Sequence, residues 1–227
     1  MSAPVLDIAD AVPAEAEESA LVGPIRLHLD AGELALVEAP DADQARALIG
    51  LCAGLPALRS GRVTLFGETI ATLPRRQAEA LRGRIGIAPA ADGWLPHLDM
   101  ELGMLLACRH HGTRPAEELR AEAAALARDF GLDGIPDATP HELSRLDLAR
   151  AGCARAFLQH PALLLLESPR DAESAEALAE PLRRKLQRAL GEGVAAIWLS
   201  RSRLAWDGPA LRGARRLCLS AEGLAPA

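Results

Sequence analysis

Residues 34–55 read Leu34-Ala-Leu-Val-Glu38, then Ala39-Pro-Asp41-Ala-Asp43-Gln44, then Ala45-Arg-Ala-Leu-Ile-Gly-Leu-Cys-Ala-Gly-Leu55. A buried strand, a tight loop and an apolar-faced helix over 45–55 follow one another. That layout aims the unpaired amides of a helix N-terminus at an anion lying in the loop. The loop chemistry opposes such use. It holds no glycine and no lysine, and Glu38, Asp41 and Asp43 place three carboxylates where an anion would sit. The stretch predicts the framework of a phosphate site with acidic contents.

Outward from this segment, strands and helices alternate. The run Gly61-Arg-Val-Thr-Leu-Phe-Gly67 alternates in polarity and ends on a turn, as a strand does. A helix over 75–82 and a strand over 85–88 follow. Residues 91–142 read as mainly helical, with Leu119, Ala123, Leu126 and Phe130 on one face of a helix that closes at Gly131. A helix over 144–159 leads into the apolar run 161–166, suited to a parallel strand covered on both faces. A helix over 175–190 and a buried strand over 194–199 come next. The pattern predicts an α/β fold with a mainly parallel sheet flanked by helices. It divides one domain, 1–227, into a core lobe (about 1–90 and 151–227) and an inserted helical subdomain (about 91–150).

Composition narrows the class. With 227 residues, 49% hydrophobic and 25% charged, the chain has the make-up of a soluble globular domain. A net charge of −6 argues against nucleic acid as partner, because phosphate contacts need a basic face. No apolar run approaches the roughly 20 residues that cross a bilayer. The acidic stretch Ala14-Glu-Ala-Glu-Glu18 lacks a secretion-signal pattern, so a cytoplasmic location is expected. Cys52, Cys108, Cys153 and Cys218 are scattered, which predicts reduced, buried thiols. His110 and His111 are adjacent and point apart, so no zinc site is expected, and the other histidines are expected at the surface or in turns. Lys185 is the single lysine among 25 basic residues, and it falls in a helix far from the loop.

Seven segments, in order and at the right spacing, carry a resemblance. They are 32–37; 50–55 with 60–67; 81–87 with 94–98; Leu143-Ser144 with Arg150 and Ala154-Arg-Ala156; and 160–169. Together they resemble the nucleotide-binding subunit of ATP-binding cassette (ABC) transporters over roughly residues 22–222, and look closest to the short subunits of lipid- and lipoprotein-handling transporters. The resemblance implies a P-loop NTPase-like fold and ATP hydrolysis as the family activity. It also implies a transmembrane permease as partner, pairing as a homodimer or with another ATPase-like chain, and a place at the inner face of the cytoplasmic membrane.

The family's phosphate loop is Gly-x-x-Gly-x-Gly-Lys-Ser-Thr. Here those positions hold Glu38, Asp41, Asp43, Gln44, Ala45 and Arg46. The glutamine that senses the γ-phosphate falls on Ala90, and the Ser-Gly-Gly-Gln signature on Ser144, Arg145, Leu146 and Asp147. The Walker B aspartate falls on Glu167, the catalytic glutamate on Ser168, and the γ-phosphate histidine on Arg201. No tyrosine exists to stack on adenine. None of these positions is expected to be catalytic or to bind nucleotide, and no cofactor is expected; Mg-ATP enters only in the alternative of a residual, weak ATPase. A further alternative is a soluble regulator without a permease.

Several residues admit two readings. Asp41 or Asp43 serves as helix N-cap, or the two join Glu38 as a metal site. Ser144 and Asp147 form a capping box. Arg145 is a solvated or interface arginine, or an anion contact. Glu167 is a satisfied carboxylate at a strand end, or the only candidate magnesium ligand. Trp94, with Leu95, His97 and Leu98, is core or part of a permease-docking groove.

Overall fold

The computed structural model describes residues 3–14, 20–90, 93–112, 114–158, 160–202, 206, 211 and 213–227, apart from the His111 side chain. The chain begins with β1 (Leu6–Pro13), β2 (Ile25–Leu29), β3 (Leu34–Glu38), α1 (Ala42–Cys52), β4 (Leu58–Leu65) and β5 (Glu68–Thr69). Then come α2 (Arg75–Arg82), β6 (Ile85–Ala88), α3 (Met100–His111), α4 (Ala116–Asp129) and α5 (Arg145–Phe157). The last elements are β7 (Leu163–Glu167), α6 (Ala172–Gly191), β8 (Ala195–Ser200), β9 (Arg215–Ser220) and β10 (Gly223–Pro226).

Three apolar runs, β3, β8 and β7, lie side by side and parallel, with Leu36 opposite Trp198 and Leu166 opposite the same tryptophan. β6 extends the sheet beyond β7, β9 extends it beyond β3, and β10 closes one edge antiparallel, giving the order β10-β9-β3-β8-β7-β6. Because strand side chains alternate between faces, each central strand feeds two cores. Ala35, Val37, Leu163, Leu165 and Ile197 pack with α1 and the N-terminal strands. Leu36, Leu164, Leu166 and Trp198 pack with α3 to α6. Continuous apolar sequence is the signature of this two-sided burial.

A second, antiparallel sheet, ordered β2-β1-β4-β5, covers α1. Of its strands, only the third was expected, over 61–67. β2 alternates buried and exposed along Ile25-Arg-Leu-His-Leu29. β1 is harder to read because it carries a bulge: its register slips between Ala9 and Val12, and Asp10 has φ +49°. Gly61 lies across from this bulge at φ +79°, where a Cβ would come within 2.1 Å of the Asp10 carbonyl oxygen.

Three expectations need correction. α1 starts at Ala42 and stops at Cys52 instead of spanning 45–55. Asp41 starts it, and Gly54 at φ +63° turns the chain away. Arg82 then donates Nε to the Ala53 carbonyl (3.1 Å) and Nη2 to the Gly54 carbonyl (2.6 Å), closing the helix end. Among the described residues of 91–142, helix is confined to α3, α4 and a short 3-10 turn at Pro140–Glu142, with turns through 131–139. Cys218 is half-buried, unlike Cys52, Cys108 and Cys153. α5 runs through residue 150, the expected division between the lobes, and that division itself stays an expectation.

α5 crosses β6 closely. A Cβ on Gly86 would lie 2.0 Å from the Ala156 carbonyl oxygen, a contact neither backbone can relieve without moving. Gly86→Ala should therefore lower stability by about 2–4 kcal/mol. Gly50→Ala, in α1 with nothing within 4 Å of the added methyl, should instead raise it by about 0.5–1 kcal/mol. Urea unfolding of both variants checks the pair; equal effects would refute the contact.

Candidate functional site

The C-terminal ends of β3, β6 and β7 reach one edge of the parallel sheet, where open α/β folds place ligands. α1 begins there. Its first amides need acceptors, and Asp41 supplies one: Oδ1 accepts from the amides of Asp43 (2.8 Å) and Gln44 (2.9 Å). Asp43 is turned to another task, accepting from Arg46 Nη1 at 2.7 Å. Of the two N-cap candidates, Asp41 fills the role. Glu38 ends β3 opposite Ser200 and Cys218, and the Ala39 amide continues the pairing to the Ser200 carbonyl. Ala45 is buried against the core, so its place offers no hydroxyl to a ligand.

Ser168 follows β7 and is buried. Its Oγ accepts from Trp198 Nε1 at 2.9 Å, and its amide donates to the Leu199 carbonyl. Ser168 is thus a neutral hydroxyl tied to a core indole. Glu167, one residue earlier, accepts from the Ala90 amide at 3.1 Å through Oε2, which joins the ends of β6 and β7. Arg201 is exposed, on a turn closed by Ser200 Oγ, which donates to the Ser202 carbonyl and accepts from its amide. Among the described residues, no group of three or more His, Cys, Asp or Glu side chains could hold a metal ion.

Ser144 caps α5 by accepting from the Asp147 amide at 3.1 Å. The expected box closes differently. Asp147 is one methylene shorter than the usual glutamate, and its Oδ2 accepts from the Ser144 hydroxyl (2.7 Å) while Oδ1 accepts from Arg150. Arg145 is exposed and Leu146 half-buried. Trp94 is half-buried between two neighbours: a Cβ on Gly103 would lie 3.1 Å from its ring, and the Arg155 guanidinium stacks 4.2 Å from it. Leu95 and His97 are exposed, and Leu98 is half-buried. Sequence reasoning missed Trp198 as partner of Ser168, and Arg155 as partner of Trp94. No local pattern links residues 30 or 61 positions apart.

This arrangement is that of a P-loop NTPase-like cassette. The chain matches the dimeric structure of MJ0796, a bacterial ABC transporter cassette, with a TM-score of 0.79 over 96% of each chain at 18% identity. It matches an ATP-binding subunit of an ABC transporter with a TM-score of 0.74 at 21% identity, over 98% of this chain and 90% of that one. In sequence it is 31% identical over 172 residues to the cytochrome c biogenesis ATP-binding export protein CcmA of Xanthomonas oryzae pv. oryzae, covering 74% of each. It is 30% identical to the sulfate/thiosulfate import ATP-binding protein CysA of Bordetella pertussis, covering 72% of this chain and 46% of that protein. No family model matches. The chain belongs to the family of ATP-binding subunits of ABC transporters. Among the described residues, no helix is long and apolar enough to cross a membrane.

Two variants test the contacts at this edge. Asp41→Ala removes both caps and should cost about 1 kcal/mol. Ser168→Ala strands a buried indole N–H and should cost about 1–3 kcal/mol, read by urea denaturation. Acid titration supplies a third check. Asp171 caps α6 through the Ser174 amide at 2.8 Å. Bonds from the Ser174 side chain first, then its backbone, hold the Asp171 carboxyl below its ordinary value. A folded-state value below the unfolded one gives stability above the unfolded value, about 3.9, that is lost as pH falls through the folded value. The stability gap between the parent and Asp171→Ala should therefore be full at pH 6 and shrink below pH ~4.

Proposed function

We propose that this chain is a non-catalytic, ATPase-like subunit of a membrane transport system that acts through protein contacts. The observation that carries this reading is the Asp41 carboxylate seated on the two α1 amides that a phosphate would need. A polyphosphate entering there must displace that carboxylate and lie beside Asp43 and Glu38. Two like unit charges ~4 Å apart repel by about 4 kcal/mol at an effective dielectric of ~20, which equals the whole binding energy of a millimolar ligand. No lysine offsets this, since Lys185 pairs with Asp129 at 2.6 Å. With Ser168 engaged by Trp198, no carboxylate at that position orients a water.

In the family each ATP lies between the phosphate loop of one chain and the signature of another. This chain departs from the pattern in both halves, so a homodimer or a heterodimer with an active chain would hold no intact composite site. Mg-ATP is then not a cofactor. The contact surface we assign lies where the helical subdomain meets the core lobe. A groove of about 520 Å³ runs between β6 and α3, lined by Ile85, Ile87, Leu106 and Ala107, with His110 and Arg155. Exposed Leu106 and, on the loop before α3, Leu95 add apolar surface that suits a permease segment at the inner membrane face.

Calorimetry at millimolar Mg-ATP should give no saturable heat, and phosphate release should match the buffer blank. Saturable binding would replace this reading with a weak ATPase. Co-purification with the permease encoded beside the gene should succeed and fall at least tenfold in Leu95→Asp/Leu106→Asp with the melting temperature unchanged. Absence of any membrane partner would favour a soluble regulator.

A further inference from the structure

A separate cavity of about 360 Å³ opens between the turn after β6, the flank of α5 and the turn joining β7 to α6. Its lining residues include three arginines, Arg145, Arg155 and Arg170, and one acid, Asp171. Three positive charges and one negative leave a net +2. The Asp171 carboxylate is already committed to the α6 cap, accepting from the Ser174 amide.

Arg155 shows what the cavity lacks. Its guanidinium lies over the Trp94 ring at 4.2 Å and gives Nη1 to the Gly93 carbonyl at 2.7 Å. One carbonyl answers only one of the five N–H donors that a guanidinium carries. Desolvation by burial pulls its pKa below the ordinary arginine value. Arg155 is half-buried, and a cation held partly out of water is stabilised by a nearby anion. Among the described residues, no carboxylate forms a close ion pair with Arg155, Arg145 or Arg170, and the charge of Arg145 is felt by the Asp171 carboxyl across the cavity. The floor beneath them is small: Gly152 of α5 lines the cavity, and a Cβ there would meet nothing within 4 Å.

We propose that this cavity is a binding site for a compact oxyanion, phosphate or carboxylate, held by Arg145, Arg155 and Arg170. Planar guanidinium forks match the oxygens of both groups. The site shares no residue with the Asp41-capped loop, so it stands whether or not the chain binds nucleotide. Its position beside the α5 N-terminus and the turn into α6 ties ligand occupancy to the relative placement of those two helices.

The test is calorimetric titration of the full chain with inorganic phosphate and, separately, citrate, in magnesium-free buffer at fixed ionic strength set with chloride. One anion should bind saturably. Affinity should fall about tenfold for each arginine removed in Arg145→Gln and Arg170→Gln. Gly152→Leu, which fills the floor and keeps every charge, should abolish binding while circular dichroism stays that of the parent. Preference for phosphate assigns a phosphorylated ligand, and preference for citrate a carboxylate one. No saturable heat with either anion overturns the proposal, as does affinity unchanged in Gly152→Leu. If the arginine variants misfold, Gly152→Leu decides between binding and no binding, because leucine is the better helix former at that position. A nucleotide bound at α1 would respond to Asp41→Ala and not to Gly152→Leu, so failure of this proposal is separable from failure of the non-catalytic reading.

Discussion

Amides at the N-terminus of α1 must find acceptors, and everything at the ligand edge of the sheet follows from how they do so. In a phosphate-binding loop the acceptor is external, and the loop must stay open and basic to admit it. Here the acceptor is built in, through Asp41 Oδ1 on the amides of Asp43 and Gln44. An N-cap of this kind needs neither glycines for close backbone approach nor a cation for charge balance. Asp43 and Arg46 can then pair with each other instead of with a ligand.

The same substitution of internal partners for external ones recurs along the edge. Glu167 accepts from the Ala90 amide and bridges the ends of β6 and β7. Ser168 accepts from the Trp198 indole within the core. Ser144 and Asp147 bond each other at the start of α5. Each is a polar group that holds one part of the fold to another. Such contacts are modest singly, about 1 kcal/mol each. Together they make the edge self-sufficient, and they are consistent with a fold retained for its surfaces.

The central sheet was legible because two-sided burial writes itself as unbroken apolar sequence, as in Leu163-Leu-Leu-Leu166 and Ala195-Ala-Ile-Trp-Leu199. α1 was legible as an element but not in its bounds, since its start depends on which of two aspartates turns onto the amides. β1 escaped because the bulge at Asp10 breaks its alternation. β2 alternates cleanly, but five residues give only two full periods, a faint signal beside the longer apolar runs. The Ser168–Trp198 bond and the arginine cavity were beyond reach, for their members meet only after the sheet and α5 have formed. Gly86 is the clearest such case: its sequence context suggests an ordinary strand residue, and only the Ala156 carbonyl reveals why a side chain is excluded.

Charge has been redistributed along with these contacts, and the redistribution is uneven. The positive end of α1 is answered by Asp41, Asp43 by Arg46, and Lys185 by Asp129. Arg155 breaks the pattern. It is held in place by an aromatic face and a backbone carbonyl, neither of which carries a full negative charge. Arg145 and Arg170 sit on the same cavity and add to the positive field instead of relieving it. In a net acidic protein, carboxylates to neutralise such a site are abundant, yet among the described residues only Asp171 lines it, and that side chain is engaged by α6. The α1 N-terminus is answered from within by Asp41, whereas the cavity on the flank of α5 is lined by three arginines and one committed carboxylate.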